Sequence, residues 1–158
     1  MEQLHAPYDL VLASFSLGMP DIRTALLKMD ACCSGEVVCF WSSGTSVWEG
    51  IMRHSYEALH NKPYIPAPKA DLLVRVLEDE GISPCFEEYE DPHRDIYESC
   101  DAAIDAVMQR LSISEDSDSH ASLARKEIGS YLQDLLVEKD GKWYVEGMNC
   151  VGRVSWKT

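Results

Sequence analysis

A chain of 158 residues, 46% hydrophobic and 26% charged, has the composition of one ordinary globular domain with enough apolar mass for a core. Its formal net charge of -13 works against nucleic acid and anionic membrane surfaces as partners, since phosphate is repelled and no basic patch offsets the acidity. No run nears ~20 apolar residues, so no membrane span is expected. Met-Glu-Gln-Leu-His lacks the basic and apolar regions of a signal peptide, which predicts a cytoplasmic protein.

The first element is "YDLVLAS", where Leu10 to Ala13 form an uninterrupted apolar run. It predicts a buried strand over 8–14. A helix is expected at about 20–33. Pro20 suits its first turn and Asp21 its positive end. Ile22, Ala25, Leu26, Met29 and Cys33 fall on one face at helical spacing. Ser34-Gly35 then breaks the pattern. Val37 to Trp41 is a second apolar run, as in a central strand covered on both faces. Strand, amphipathic helix and buried strand make a βαβ unit with parallel strands and a right-handed crossover.

A helix is expected over 46–60. "KPYIPAPK" interrupts it with three prolines, Pro63, Pro66 and Pro68. Leu72, Leu73, Val76 and Leu77 place a helix at about 69–80, stopped by Gly81. "ISPCFEEY" at 82–89 reads as a third strand, with Pro84 near its start or at an edge. Helices are expected at about 97–111 and 119–137. The polar stretch "SISEDSDSH" between them is the one candidate linker. At the C-terminus, Cys150, Gly152, Val154 and Trp156 alternate with Val151, Arg153 and Ser155. That is a half-buried strand, with a short strand before it. There is no internal repeat.

The six cysteines, Cys32, Cys33, Cys39, Cys85, Cys100 and Cys150, show no C-x-x-C pair, so they read as reduced packing thiols and no metal site is expected. His54 and His60 are six residues apart and off a common helix face. His93 stands among the carboxylates of "FEEYEDPHRD", which offers an acid–base or metal role or a solvated loop. None of the nine glycines forms G-x-G, so no Gly-rich cofactor loop is present. In open parallel sheets, ligands bind beyond the carboxyl ends of the strands. Here those ends are Ser14-Phe15-Ser16 and Trp41-Ser42-Ser43. They read equally as a pocket wall or as strand-end packing.

"YDLVLASFSLGMPDIRTALLKMDACCSGEVVCFW" resembles the fourth strand, following helix and fifth strand of class I S-adenosylmethionine-dependent methyltransferases. "KPYIPAPKADLLVRVLEDEGI" and a final strand ending in tryptophan are similar too. The order of these segments carries the resemblance, which spans most of the chain. It implies an α/β fold: a partial Rossmann-like methyltransferase sheet of about four strands with helices on both faces. Residues 1–158 would form a single domain, the C-terminal half of a methyltransferase fold, with a helical insertion at 92–137. The last strand would run antiparallel between the family's fifth and sixth.

In the family three strands precede this region and supply the Gly-rich loop and the acidic residue for the cofactor's ribose. The resemblance therefore implies a small-molecule methyltransferase present as its substrate-side half, with S-adenosylmethionine as cofactor. Ala13, Ser14, Phe15 and Ser16 would border the cofactor. Trp41 and Ser42 would face the substrate, and Tyr64 would belong to the substrate cover. No catalytic base is assigned. The alternative is a non-catalytic oligomerisation or partner-binding module. The expected partners are a small-molecule methyl acceptor and an N-terminal half on another chain. A homodimer through the first strand's edge is a further expectation, unless residues 1–7 or a helix cover that edge.

Overall fold

The computed structural model describes residues 7–113 and 118–158, the side chains of 118–120 excepted. The elements are β1 (Tyr8–Ser14), α1 (Ile22–Cys32), β2 (Cys33–Ser43), α2 (Val47–His60) and α3 (Ala70–Asp79). They continue with β3 (Cys85–Tyr97), α4 (Cys100–Arg110), α5 (Asp118–Leu135), β4 (Leu136–Lys139) and β5 (Lys142–Lys157). The fold is α/β with a mixed sheet in the order β1-β2-β5-β3, β4 pairing with β5. β1 and β2 are parallel, and β5 runs antiparallel beside β2. A last strand inserted antiparallel beside the second is the arrangement the resemblance implies, and the architecture is consistent with a partial Rossmann-like methyltransferase fold.

The chain divides into two compact units. The first comprises Met1–Gly44, Pro68–Asp91 and Cys150–Thr158. Its core joins Leu26 of α1, Leu73 and Leu77 of α3, Val37 and Cys39 of β2, and Val154 and Trp156 of β5. Strand alternation explains the selection, since Val11 pairs with Val37 and Ala13 with Cys39 on one face. The opposite face presents Leu10 and Leu12, which are 57% and 60% exposed.

Local chemistry fixes the joints. Asp21 caps α1 by accepting from the Thr24 amide at 3.1 Å, so the helix starts after Asp21 and Pro20 lies outside it. That contact, mainly with Thr24, holds the Asp21 carboxyl below its ordinary range. β2 begins directly at Cys33. Ser34-Gly35, expected to end the helix, instead forms an irregularity in the β1–β2 ladder opposite Asp9. A Cβ on Gly35 would lie 2.2 Å from the Asp9 carbonyl oxygen, so only glycine permits that approach. α3 closes as a Schellman motif. Gly81 has φ +78°, its amide donates to Glu78 O at 3.0 Å, and Ile82 N donates to Leu77 O at 2.9 Å.

The second unit comprises Thr45–Ala67 and Pro92–Asn149. Ile51 of α2, Ile104 and Val107 of α4, and Ile128 and Leu132 of α5 build its core. Ser46 caps α2 by accepting from Glu49 N at 3.0 Å, and Ser99 caps α4 through Ala102 N at 3.0 Å. β4 and β5 form a hairpin whose turn residues, Asp140 and Gly141, have φ values of 53° and 73°. Positive φ at both suits the right-handed twist of the flanking strands.

Two further expectations are corrected. Residues 85–97 are one long strand where the sequence suggested a strand to 89 and then a solvated loop. Pro92 is tolerated because β3 is an end strand of the sheet, where an amide need not donate. The last strand, β5, starts at Lys142 rather than near Cys150, and the short strand expected before it is β4. The linker at 112–120 and the covering role of residues 1–7 lie wholly or partly outside the described residues.

Candidate functional site

At the carboxyl end of β1 the chain turns sharply. Phe15 has φ +48°, the left-handed region that costs a side-chain-bearing residue about 1 kcal/mol or more. Two contacts oppose that cost. Phe15 N donates to Phe40 O at 3.0 Å, extending the β1–β2 ladder by one bond. The Phe15 ring lies 6.2 Å from Trp41, tilted by 30°. Leu17 then enters the core. The outcome is an aromatic side chain, 55% exposed, held out at the strand end.

That ring borders a cavity of about 370 Å³. Ser14, Phe15 and Phe40 supply one side, and Tyr89, Glu90 and Asp91 of β3 supply the other. Burial is the main reason the Tyr89 phenol is raised above its ordinary pKa, with the Glu87 carboxylate adding to it. Glu87 is itself lowered, chiefly by its hydrogen bond from Arg153. Arg153 contacts Glu87 at 2.5 Å and Glu36 at 3.1 Å. Glu88 accepts from the buried Ser43 hydroxyl. Glu90 and Asp91 have no ion-pair or hydrogen-bond partner among the described residues.

Ser14 and Phe15 are thus brought together beside the cavity. Ala13 is buried in the first unit's core. Ser16 is exposed and Ser42 half-buried. Trp41 stands against Phe15 and donates its indole N–H to Pro68 O at 2.9 Å, so that donor anchors the proline-rich segment. Tyr64 belongs to the second unit, where its amide donates to Glu57 at 3.1 Å and its ring meets Tyr56 edge-on.

Sequence reasoning did not single out Phe40, Tyr89, Glu90 or Asp91. The available signal was alternation in "CFEEYED", hidden by the acidic run and by Pro92. His93 lies in the second unit and bonds Asp95 at 2.9 Å, and the same carboxylate oxygen accepts from Trp48 Nε1 at 2.9 Å. His54 stacks on Tyr131 with ring centroids 4.1 Å apart, which is packing. Among the described residues no cluster of metal ligands occurs, and no helix is long and apolar enough to cross a membrane. Cys39 is buried, which pushes its thiol up to about 12.

No protein-family model matches the chain. No curated protein matches it. Among solved structures the chain is similar to a protein of Bacillus halodurans C-125 provisionally described as a methyltransferase, at 12% identity and a TM-score of 0.49. The alignment covers 96% of this chain and 65% of that one, so the chain spans just under two thirds of that protein's length. At that score the likeness decides nothing about this chain.

Proposed function

We propose that the chain is the substrate-side part of a class I S-adenosylmethionine-dependent methyltransferase acting on a small molecule in the cytoplasm. The observation that carries the reading is the strand order: parallel β1 and β2, then β5 antiparallel between β2 and β3. It agrees with the order of sequence segments on which the resemblance rests. The domain reading, one domain with a helical insertion at 92–137, belongs to the same proposal.

The lining suits one flank of such a cofactor. Phe15, Phe40 and Tyr89 line it with aromatic residues, while Ser14, Glu90 and Asp91 are polar ones. When bound, the cofactor supplies an electrophilic methyl group on a positively charged sulfur. Ser14, Phe15 and Ser16, with Ala13 in the strand beneath, would border it. Trp41 and Ser42 would serve the acceptor. The task of these residues is to align an acceptor and keep water out. Alignment alone supplies much of the rate in such displacements. No residue is assigned as the base.

Calorimetry with S-adenosylmethionine tests the reading. It is run on this chain alone and with a Gly-rich-loop-bearing α/β half supplied as a second chain. Binding that appears or tightens with the second half supports it. No binding in either case sinks it.

A second reading, a partner-binding module without catalysis, is favoured by one observation: β1 is an end strand with Leu10 and Leu12 exposed. Under it, a second copy or an N-terminal half pairs along β1. Methyl transfer by the purified chain alone would refute it.

A further inference from the structure

We propose that the cavity between the end of β1 and β3 is a cation site that takes the ammonium group of the methyl acceptor. This rests on the methyltransferase reading for the word acceptor, but not for the site itself.

The argument is chemical. Phe15, Phe40 and Tyr89 bring three rings to one cavity of about 370 Å³, large enough for a substituted ammonium group. The negative ring faces attract cations, most strongly those too weakly hydrated to prefer water. Glu90 and Asp91 also line it, and strand alternation gives Asp91 the face of Tyr89. Neighbouring carboxylates are already occupied: Glu36 and Glu87 by Arg153, and Glu88 by Ser43. Among the described residues the charge of Glu90 and Asp91 is not consumed in this way. Among the described residues no lysine or arginine lines the cavity, and the neighbouring Arg153 is held by Glu36 and Glu87. An anionic ligand would meet uncompensated carboxylate charge there, and a neutral one would gain nothing from it. The chain's net charge of -13 also raises the local concentration of cations.

Two cations fit this chemistry: an ammonium on the acceptor, and the sulfonium of the cofactor. The experiment separates them. Choline and its neutral isostere 3,3-dimethylbutan-1-ol are titrated into the intact chain and followed by NMR at the Phe15, Phe40 and Tyr89 ring resonances. Choline should bind about fivefold or more tightly than the isostere. Glu90→Gln with Asp91→Asn should erase that preference, and Tyr89→Leu should weaken choline while leaving the fold's spectrum intact. Equal binding of the two probes, or a preference untouched by both variants, overturns the site.

The titration is repeated with saturating S-adenosylmethionine, with the second α/β half present. Choline binding that persists assigns the site to the acceptor. Mutual exclusion assigns the cation to the cofactor and overturns the acceptor assignment. If S-adenosylmethionine fails to bind while choline binds with the stated preference, the methyltransferase reading falls and the cation site stands.

Discussion

Trp156 Nε1 donates to Asp30 Oδ1 at 2.8 Å, tying the end of β5 to the last turn of α1. The two residues are 126 positions apart, and the indole is almost wholly buried. A buried indole N–H needs a partner, and a carboxylate is a strong one. Trp156→Phe keeps most of the apolar volume and removes the donor. It should lower stability by about 2 kcal/mol. Asp30→Asn, which keeps an acceptor, should cost less than Asp30→Ala. Urea unfolding of the single and double variants checks both statements, and additive losses would show that the bond contributes nothing.

Two glycines should respond differently to alanine. At Gly35 the new Cβ would meet the Asp9 carbonyl at 2.2 Å, so backbone must move in the β1–β2 ladder. Gly35→Ala should cost more than about 2 kcal/mol. At Gly81 there is open space, and only the left-handed φ of +78° is strained. Gly81→Ala should cost about 1 kcal/mol. The ranking is read from chemical denaturation midpoints, and a reversed order would contradict the close approach.

Phe15 separates stability from site. Replacing it by glycine relieves the left-handed strain, worth about 1 kcal/mol, and removes a ring that is half exposed anyway. Phe15→Gly should therefore melt at or above the wild-type temperature while losing choline binding. A variant that melts well below wild type would mean the ring holds the fold.

Thiol chemistry should divide by burial. Cys85 is exposed and Cys39 fully buried. A disulfide reagent at pH 8 should modify Cys85 rapidly and Cys39 only on unfolding. The pH dependence has a definite sign. Burial raises the Cys39 thiol from 9.0 to about 12, so folded and unfolded chains are alike below pH 9. Between about 9 and 12 the unfolded chain loses a proton that the folded one keeps, and this residue's contribution to stability falls as pH rises. Cys39→Ala should flatten that part of the profile, measured by alkaline denaturation.

Legibility tracked how local the physics is. β1, α1 and β2 could be read because uninterrupted apolar runs flank a helical period, and both patterns come from neighbours in sequence. The N-cap at Asp21 lay one residue after Pro20, too small an offset for composition to resolve. β3 was half hidden. Glu87, Glu88, Glu90 and Asp91 look solvated, and Pro92 looks like a break, until the strand is known to be at the sheet's end. Asp140-Gly141 carries the signal of the β4–β5 turn in its own two residues. The left-handed Phe15 carries no sequence signal at all. It is imposed by its ladder bond to Phe40, which exists only once β1 and β2 are paired.

The two ends of the sheet are not equivalent. At one, β3 carries Pro92 within the strand, Pro84 just before it and a row of carboxylates, all of which discourage a further strand. At the other, β1 offers a seven-residue edge bearing exposed leucines. A sheet open at both ends can add copies without limit and grow into a fibre. One open at a single end saturates after one addition. Under the partner-binding reading, a second copy seated on β1 would pair the two leucine-bearing edges with each other, and growth through β1 would stop at two copies.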